Sequence, residues 1–204
     1  MALLSGNFPI GEGFASANFK QVNTTKRTQT ASGRTIRETN ATTLWSVLVA
    51  TPPLTQAQAR PLQAYIARCR GGINEFDIIL PEISYSVADS AYHTATLTCS
   101  STTAGATAVD FTSSANSATV IKAGDVVRFS NHTKVYMATT DVNTDGSGNG
   151  TLNIEPALIE NVSGSTTITH DEVPFRMILD LDTQEYVYTL EGHVAFEIEM
   201  RETI

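Results

Sequence analysis

The chain has 204 residues, with 13 basic and 21 acidic side chains, for a formal net charge of −8. A net acidic chain whose basic residues are not clustered is a poor ligand for nucleic acid, where affinity rests on neutralising phosphates, and no apolar run approaches the length of a membrane span. Neither nucleic-acid contact nor membrane insertion is therefore expected, and Met1–Phe14, with a short apolar patch and no basic flank, does not read as a cleaved secretory signal.

The charge is distributed unevenly. Residues 1–90 carry eight basic and six acidic side chains, residues 91–170 three and six, and residues 171–204 two and nine. The basic start and the acidic end either pair within one subunit or face each other between subunits arranged head to tail, where opposite charge selects orientation. Cys69 and Cys99 lie on dissimilar segments and read as ordinary buried thiols, as expected of a chain made in a reducing cytoplasm.

Phe19–Leu48 is rich in Thr, Asn and Arg and is broken at Ala31-Ser32-Gly33. This predicts a long β-hairpin with Lys26, Arg27, Arg34 and Arg37 near its tip. Leu44–Val49 reads as a strand that Pro52-Pro53 stops. Thr55 and Gln58 have the spacing of a capping box, and Ala59, Leu62, Ile66 and Cys69 follow at helical intervals before Gly71-Gly72. Pro61 would remove a bond from that helix, so its regular part is expected to begin there. Phe76–Leu80 predicts a strand ending at Pro81.

From Tyr92 to Ala118 the composition shifts to Ser, Thr and Ala, with apolar positions kept at Leu97, Cys99, Val109 and Phe111, so strands and not disorder are expected. Ala123-Gly124-Asp125 supplies a turn. Val126–Phe129 and Lys134–Tyr136 follow as strands, and Leu152–Ile154 makes another that Pro156 closes. Near the end, Val173, Phe175, Met177 and Leu179 alternate along one strand, and Val194, Phe196, Ile198 and Met200 along another, with Tyr186, Tyr188 and Leu190 marking a third between them. One helix and about a dozen strands make the fold mainly β. The final strands are too apolar on one face to stand alone, so residues 1–90 and 171–204 are expected to form one domain, with residues 91–170 inserted as a second.

No motif of catalysis withstands inspection. Asp141, Asn143, Asp145 and Gly146 have the first half of a calcium-loop pattern, but Leu152 stands where a bidentate Glu is required and the flanks are strands. Asp, Asn and Gly also build turns for conformational reasons alone. Gly146–Gly150 lacks phosphate-loop spacing and reads as a hairpin tip. The four histidines lie in separate segments without metal-ligand spacing, and no nucleophile elbow is present. Neither catalysis nor a cofactor is expected. Trp45 reads as core of the first domain and Tyr136 as core or rim of the second.

Taken in order, these segments resemble the distal tail protein (Dit) of flexible-tailed siphophages that infect Gram-negative bacteria. The matching features are Trp45, Pro52-Pro53, the helix through Arg68 and Arg70 to Gly71, and Ile79-Leu80-Pro81-Glu82. They continue with Ala123-Gly124-Asp125, Val126–Phe129, Lys134-Val135-Tyr136, Pro156 with Leu158, and Met200-Arg201-Glu202. The match is thin across Ala91–Thr119 and Gly164–His170. The resemblance implies a ring-forming β-sandwich with one helix and a protruding hairpin, and an inserted barrel similar to the OB-fold. It implies a structural virion protein at the distal end of the tail, forming a hexameric ring whose partners are other copies of itself, the tail tube protein and the proteins of the baseplate hub or tail tip. Lys26, Arg27, Arg34 and Arg37, with Glu197, Glu199 and Glu202, are the contact candidates. The alternative is a carbohydrate-binding module, because such barrels bind oligosaccharides in other settings and fold alone does not decide function.

Overall fold

The computed structural model describes residues 3–4, 8–9, 13–23, 25–39, 43–188 and 192–204. The chain begins its regular structure with β1 (Ser16–Val22), β2 (Thr25–Gln29), β3 (Thr35–Thr39) and β4 (Leu44–Ala50). β1 and β4 pair antiparallel from Ser16 opposite Ala50 to Val22 opposite Leu44. β2 and β3 pair from Thr25 opposite Thr39 to Gln29 opposite Thr35. Together they form the long hairpin. Its turn is closed by Thr30, whose Oγ1 accepts from Arg34 N at 3.1 Å, and by Gly33 at φ 82°.

After β5 (Leu54–Thr55) comes α1 (Gln56–Cys69). Gln58 Oε1 accepts from Thr55 N at 2.9 Å and from Thr55 Oγ1 at 2.7 Å, which fixes the helix start ahead of Pro61. The expectation of a later start was wrong for this reason: the capped first turn is held although Pro61 withdraws one donor. Arg70 ends the helix at φ 51° and Gly71 follows at φ 64°. A Cβ on Gly71 would lie 2.8 Å from Asp182 Oδ1.

The remaining elements are β6 (Phe76–Ile78), β7 (Leu97–Cys99), β8 (Ala108–Ser113), β9 (Thr119–Ile121), β10 (Val126–Phe129), β11 (Val135–Ala138), β12 (Val142–Asn143), β13 (Asn149–Glu155), β14 (Thr167–Thr169), β15 (Phe175–Leu179), β16 (Val187–Tyr188), β17 (His193–Ala195) and β18 (Glu197–Glu202). The expected continuous strand from Val194 to Met200 is divided at Phe196. Val194 pairs with Leu54 in a three-stranded sheet ordered β16-β17-β5, while Ile198 pairs with Val49 in the larger sheet. The expected third strand through Tyr186 and Tyr188 shrinks to two exposed residues, and Leu190 lies outside the described residues.

The larger sheet is ordered β1-β4-β18-β15-β6. Its central strand comes from the end of the chain, and its neighbours on both sides supply the partners that the apolar face of β18 needs. Val47, Val49, Ile198, Met200, Met177 and Leu179 are buried with Ala59, Leu62, Ile66 and Cys69 of α1 in one core. The opposite face of β4 and β18, carrying Leu48, Glu197 and Glu199, is not part of that core.

β10-β11-β13-β8-β7-β14 close a separate small barrel, which fits the OB-like expectation. Closure removes the sheet edges that would otherwise invite pairing with other chains. Its interior is filled by Leu97, Val109, Phe111, Val127, Phe129, Tyr136, Leu152 and Ile168, among others. The glycine-rich segment leading into β13 is packed rather than being only a tip: a Cβ on Gly148 would lie 2.7 Å from Asn116 Oδ1, and one on Gly150, already in β13, would meet the Phe111 ring at 2.8 Å. Cys69 and Cys99 are both free and buried.

Candidate functional site

Two parts of the molecule can carry function: the junction between barrel and sheet, and the surfaces presented by the hairpin and by β18.

The junction is polar and buried. Lys134 and Glu202 are completely removed from solvent, with Lys134 Nζ 2.5 Å from Glu202 Oε2. Glu202 also accepts from Val135 N at 2.8 Å and from Trp45 N at 3.2 Å. Trp45 Nε1 donates to Val135 O at 2.8 Å, and its ring stacks on Phe19 with centroids 5.0 Å apart. Burial pushes the Glu202 carboxyl above and the Lys134 amine below their ordinary values, while each partner pulls the other back. Lys134 and Val135 of the barrel are thus tied to Glu202 of the sheet, which Trp45 N on the neighbouring strand also holds, so barrel and sheet are held at one registry.

Neighbouring contacts extend the junction. Arg176 grips Asp77 in a forked pair at 2.6 and 3.0 Å, and Arg128 of the barrel donates to Pro174 O at 3.0 Å. Asp125, in the turn before β10, is buried and accepts from Ser86 Oγ at 2.6 Å, Lys122 N at 2.9 Å and Val87 N at 3.1 Å. The segment leaving the sheet is tied to the one returning to it, since Asp171 accepts from Ser86 N at 3.0 Å and faces His93 Nδ1 at 3.4 Å. Replacing Asp125 with Ala strands these donors, and a loss of about 1–3 kcal/mol in urea unfolding is expected. A loss within experimental error would show that the turn does not depend on its carboxylate.

Inside the barrel, Tyr136 Oη accepts from Ile159 N at 3.2 Å and meets His132 Nε2 at 2.8 Å, while His132 Nδ1 meets Asn131 Oδ1 at 3.0 Å. Burial, and secondarily the cations Arg128 and Lys134, hold His132 below its ordinary pKa, against the opposing pull of Glu160. The unfolded chain therefore binds a proton more readily than the native chain once the pH falls below about 6.5. The His132 contribution should leave stability unchanged above that pH and reduce it as the pH falls further. Unfolding of wild type and His132→Gln at pH 7.5 and pH 5.5 tests this, the expected result being a smaller pH difference in the variant.

The partial calcium pattern is occupied by the protein's own donors. Asp141 accepts from Lys122 Nζ at 2.8 Å and Ala123 N at 3.0 Å. Asp145 Oδ1 accepts from Ser147 N and Asn149 N, both at 2.8 Å. Among the described residues no three His, Cys, Asp or Glu converge as a metal site, and no helix is long and apolar enough to cross a membrane.

The contact candidates divide into three groups. Lys26, Arg27, Arg34 and Arg37 are all exposed on the outer half of the hairpin. Glu197 and Glu199 lie on the outward face of β18, where with Leu48, Leu181, Glu185, Val187 and Ala195 they line a groove of about 540 Å³. Glu202 does not join them. It turns inward to Lys134 and is not presented to a partner. Sequence periodicity contained that signal, because Glu202 shares a strand face with Ile198 and Met200. Lys134 had no comparable signal: a lysine beside a turn ordinarily reads as exposed.

The described residues thus form a mainly β body carrying one helix and an exposed hairpin, joined through a buried polar junction to a small closed barrel. Residues 92–173 match the family model described as Distal tail protein pb9, B domain, a span that contains every strand of the barrel. The match supports a phage distal tail protein, the family that the sequence resembles, and with it a structural role in the tail of the virion. No curated protein matches the chain.

Proposed function

We propose that the chain forms a closed hexameric ring at the distal end of the phage tail and joins the tail tube to the hub of the tip, with residues 1–90 and 171–204 building the ring and residues 91–170 the inserted barrel. The observation that carries this reading is the presence, on one chain of the distal-tail family, of an exposed basic hairpin and a separate acidic face on β18. Two different complementary surfaces make a head-to-tail contact, which closes into a ring when the rotation per subunit divides the circle. The activity is geometric and needs neither cofactor nor catalysis: the ring presents one face to the tube and the other to the hub.

Binding of carbohydrate by the barrel is less well supported. Sugar sites commonly offer an aromatic face, and the barrel's Phe111, Phe129 and Tyr136 are buried, while the exposed tyrosines Tyr85 and Tyr188 lie off its strands.

An amber mutation in the gene tests the proposal. Grown without a suppressor, the phage should make filled heads and no complete tails. Infectious particles with normal tails would exclude a role as the link between tube and tip.

A further inference from the structure

The groove beside β18 is apolar at its base and acidic at its margin. Leu48 and Ala195 lie within it, Leu181 and Val187 are 51% and 61% exposed along it, and Glu185, Glu197 and Glu199 supply the charge. A groove of this kind suits an extended segment that carries one apolar side chain among cations. We propose that its occupant is the outer hairpin of a second copy of this chain, with Ile36 seated in the groove and the surrounding cations against Glu185 and Glu197. The proposal rests on the head-to-tail reading above and assigns residues to its contact.

Three observations support that occupant. Ile36 is 53% exposed on a hairpin whose other described side chains from Thr25 to Glu38 are polar or charged, apart from Ala31. Among the described residues Ile36 belongs to neither apolar core of its own subunit. Second, Arg27 stands directly opposite Arg37 in the β2–β3 register. Like charges at opposed positions weaken a hairpin, and an acidic surface brought against them relieves that cost. Third, the groove attracts cations already: Lys20 Nζ lies 3.5 Å from Glu199 Oε1, which leaves Glu185 and Glu197 for an incoming arginine or lysine.

The register also sets the chain's own hairpin apart from the groove. β2 and β3 extend from the Val22–Leu44 end of the β1–β4 pair. The groove is at the other end, where Leu48 pairs with Glu199 and Ala50 with Glu197. The hairpin of the same subunit thus joins the sheet at the end away from the groove and supplies none of its lining, which leaves the groove open to another copy.

Disulfide trapping tests the contact. One chain carries Ile36→Cys and Val187→Cys, both at exposed positions, and the native Cys69 and Cys99 are buried. The reference chain pairs Ile36→Cys with Ser147→Cys on the exposed turn of the barrel. After oxidation at high protein concentration, the first chain should give at least tenfold more intermolecularly linked product than the reference, and adding Arg34→Glu with Arg37→Glu should abolish the excess. Equal yields from the two chains, or an excess unaffected by the charge reversals, would overturn the assignment. The ring is judged separately, by electron microscopy of the linked product. Linked but open filaments would retain the contact and refute closure, whereas closed wild-type rings without Ile36–Val187 linkage would retain the ring and refute the contact.

Discussion

Glu202→Ala is expected to destabilise the chain by about 3–5 kcal/mol, because it leaves the Lys134 ammonium buried without a partner. The side chain is completely buried and serves three donors at once, Lys134 Nζ, Val135 N and Trp45 N, so the variant also strands two backbone N–H groups. The paired variant Lys134→Met with Glu202→Gln removes both charges and keeps an acceptor for one of the two amides, which the carboxylate serves through different oxygens. It should recover a large part of the loss, since a buried ion pair replaced as a unit is often close to neutral. Urea unfolding of the wild type, the single variant and the pair distinguishes the cases. If Glu202→Ala costs less than about 1 kcal/mol, the value of a surface pair, the junction is not held by this carboxylate.

The second large effect is expected at Trp45, where Trp45→Ala should cost about 3–5 kcal/mol through the cavity it leaves. The side chain is 1% exposed; it fills the space between Phe19 and the Lys134 amine, which lies 5.4 Å from its ring centre. It also holds Val135 O across the junction. Trp45→Phe keeps much of the ring and loses the donor, so a smaller loss of about 1 kcal/mol is expected from the missing hydrogen bond. Comparable losses in the two variants would mean that the hydrogen bond, and not the volume, is what the junction needs. Trp45 is the single tryptophan of the chain, so wild-type fluorescence reports on the junction directly.

The legible parts of the fold are those whose signal is local or periodic. The capping residues Thr55 and Gln58 located the helix, alternation located β15 and the β8 positions Val109 and Phe111, and the Gly33 turn located the hairpin. Tertiary pairing decides the rest. Phe196 lies inside a run whose alternation is unbroken, yet the chain passes there from one sheet to another, and only the partners of Val194 and Ile198 show it. The contact candidates show the same division. Arginines near a predicted hairpin turn are exposed because nothing local can bury them. Glu202, by contrast, shares the acidic composition of Glu197 and Glu199, although its position in the pleat sets it against the core. The groove was not legible at all, because Leu48, Leu181, Val187 and Ala195 come from four separate parts of the chain.

The central claim is that this protein sits where the tail tube meets the tip, and antibody labelling of intact virions under the electron microscope tests it most directly. Gold-labelled antibody raised against the chain should decorate the distal end of the tail at the junction of tube and tip, and nowhere else on the particle. Label on side fibres, label along the tube, or its absence from infectious virions would contradict the assignment.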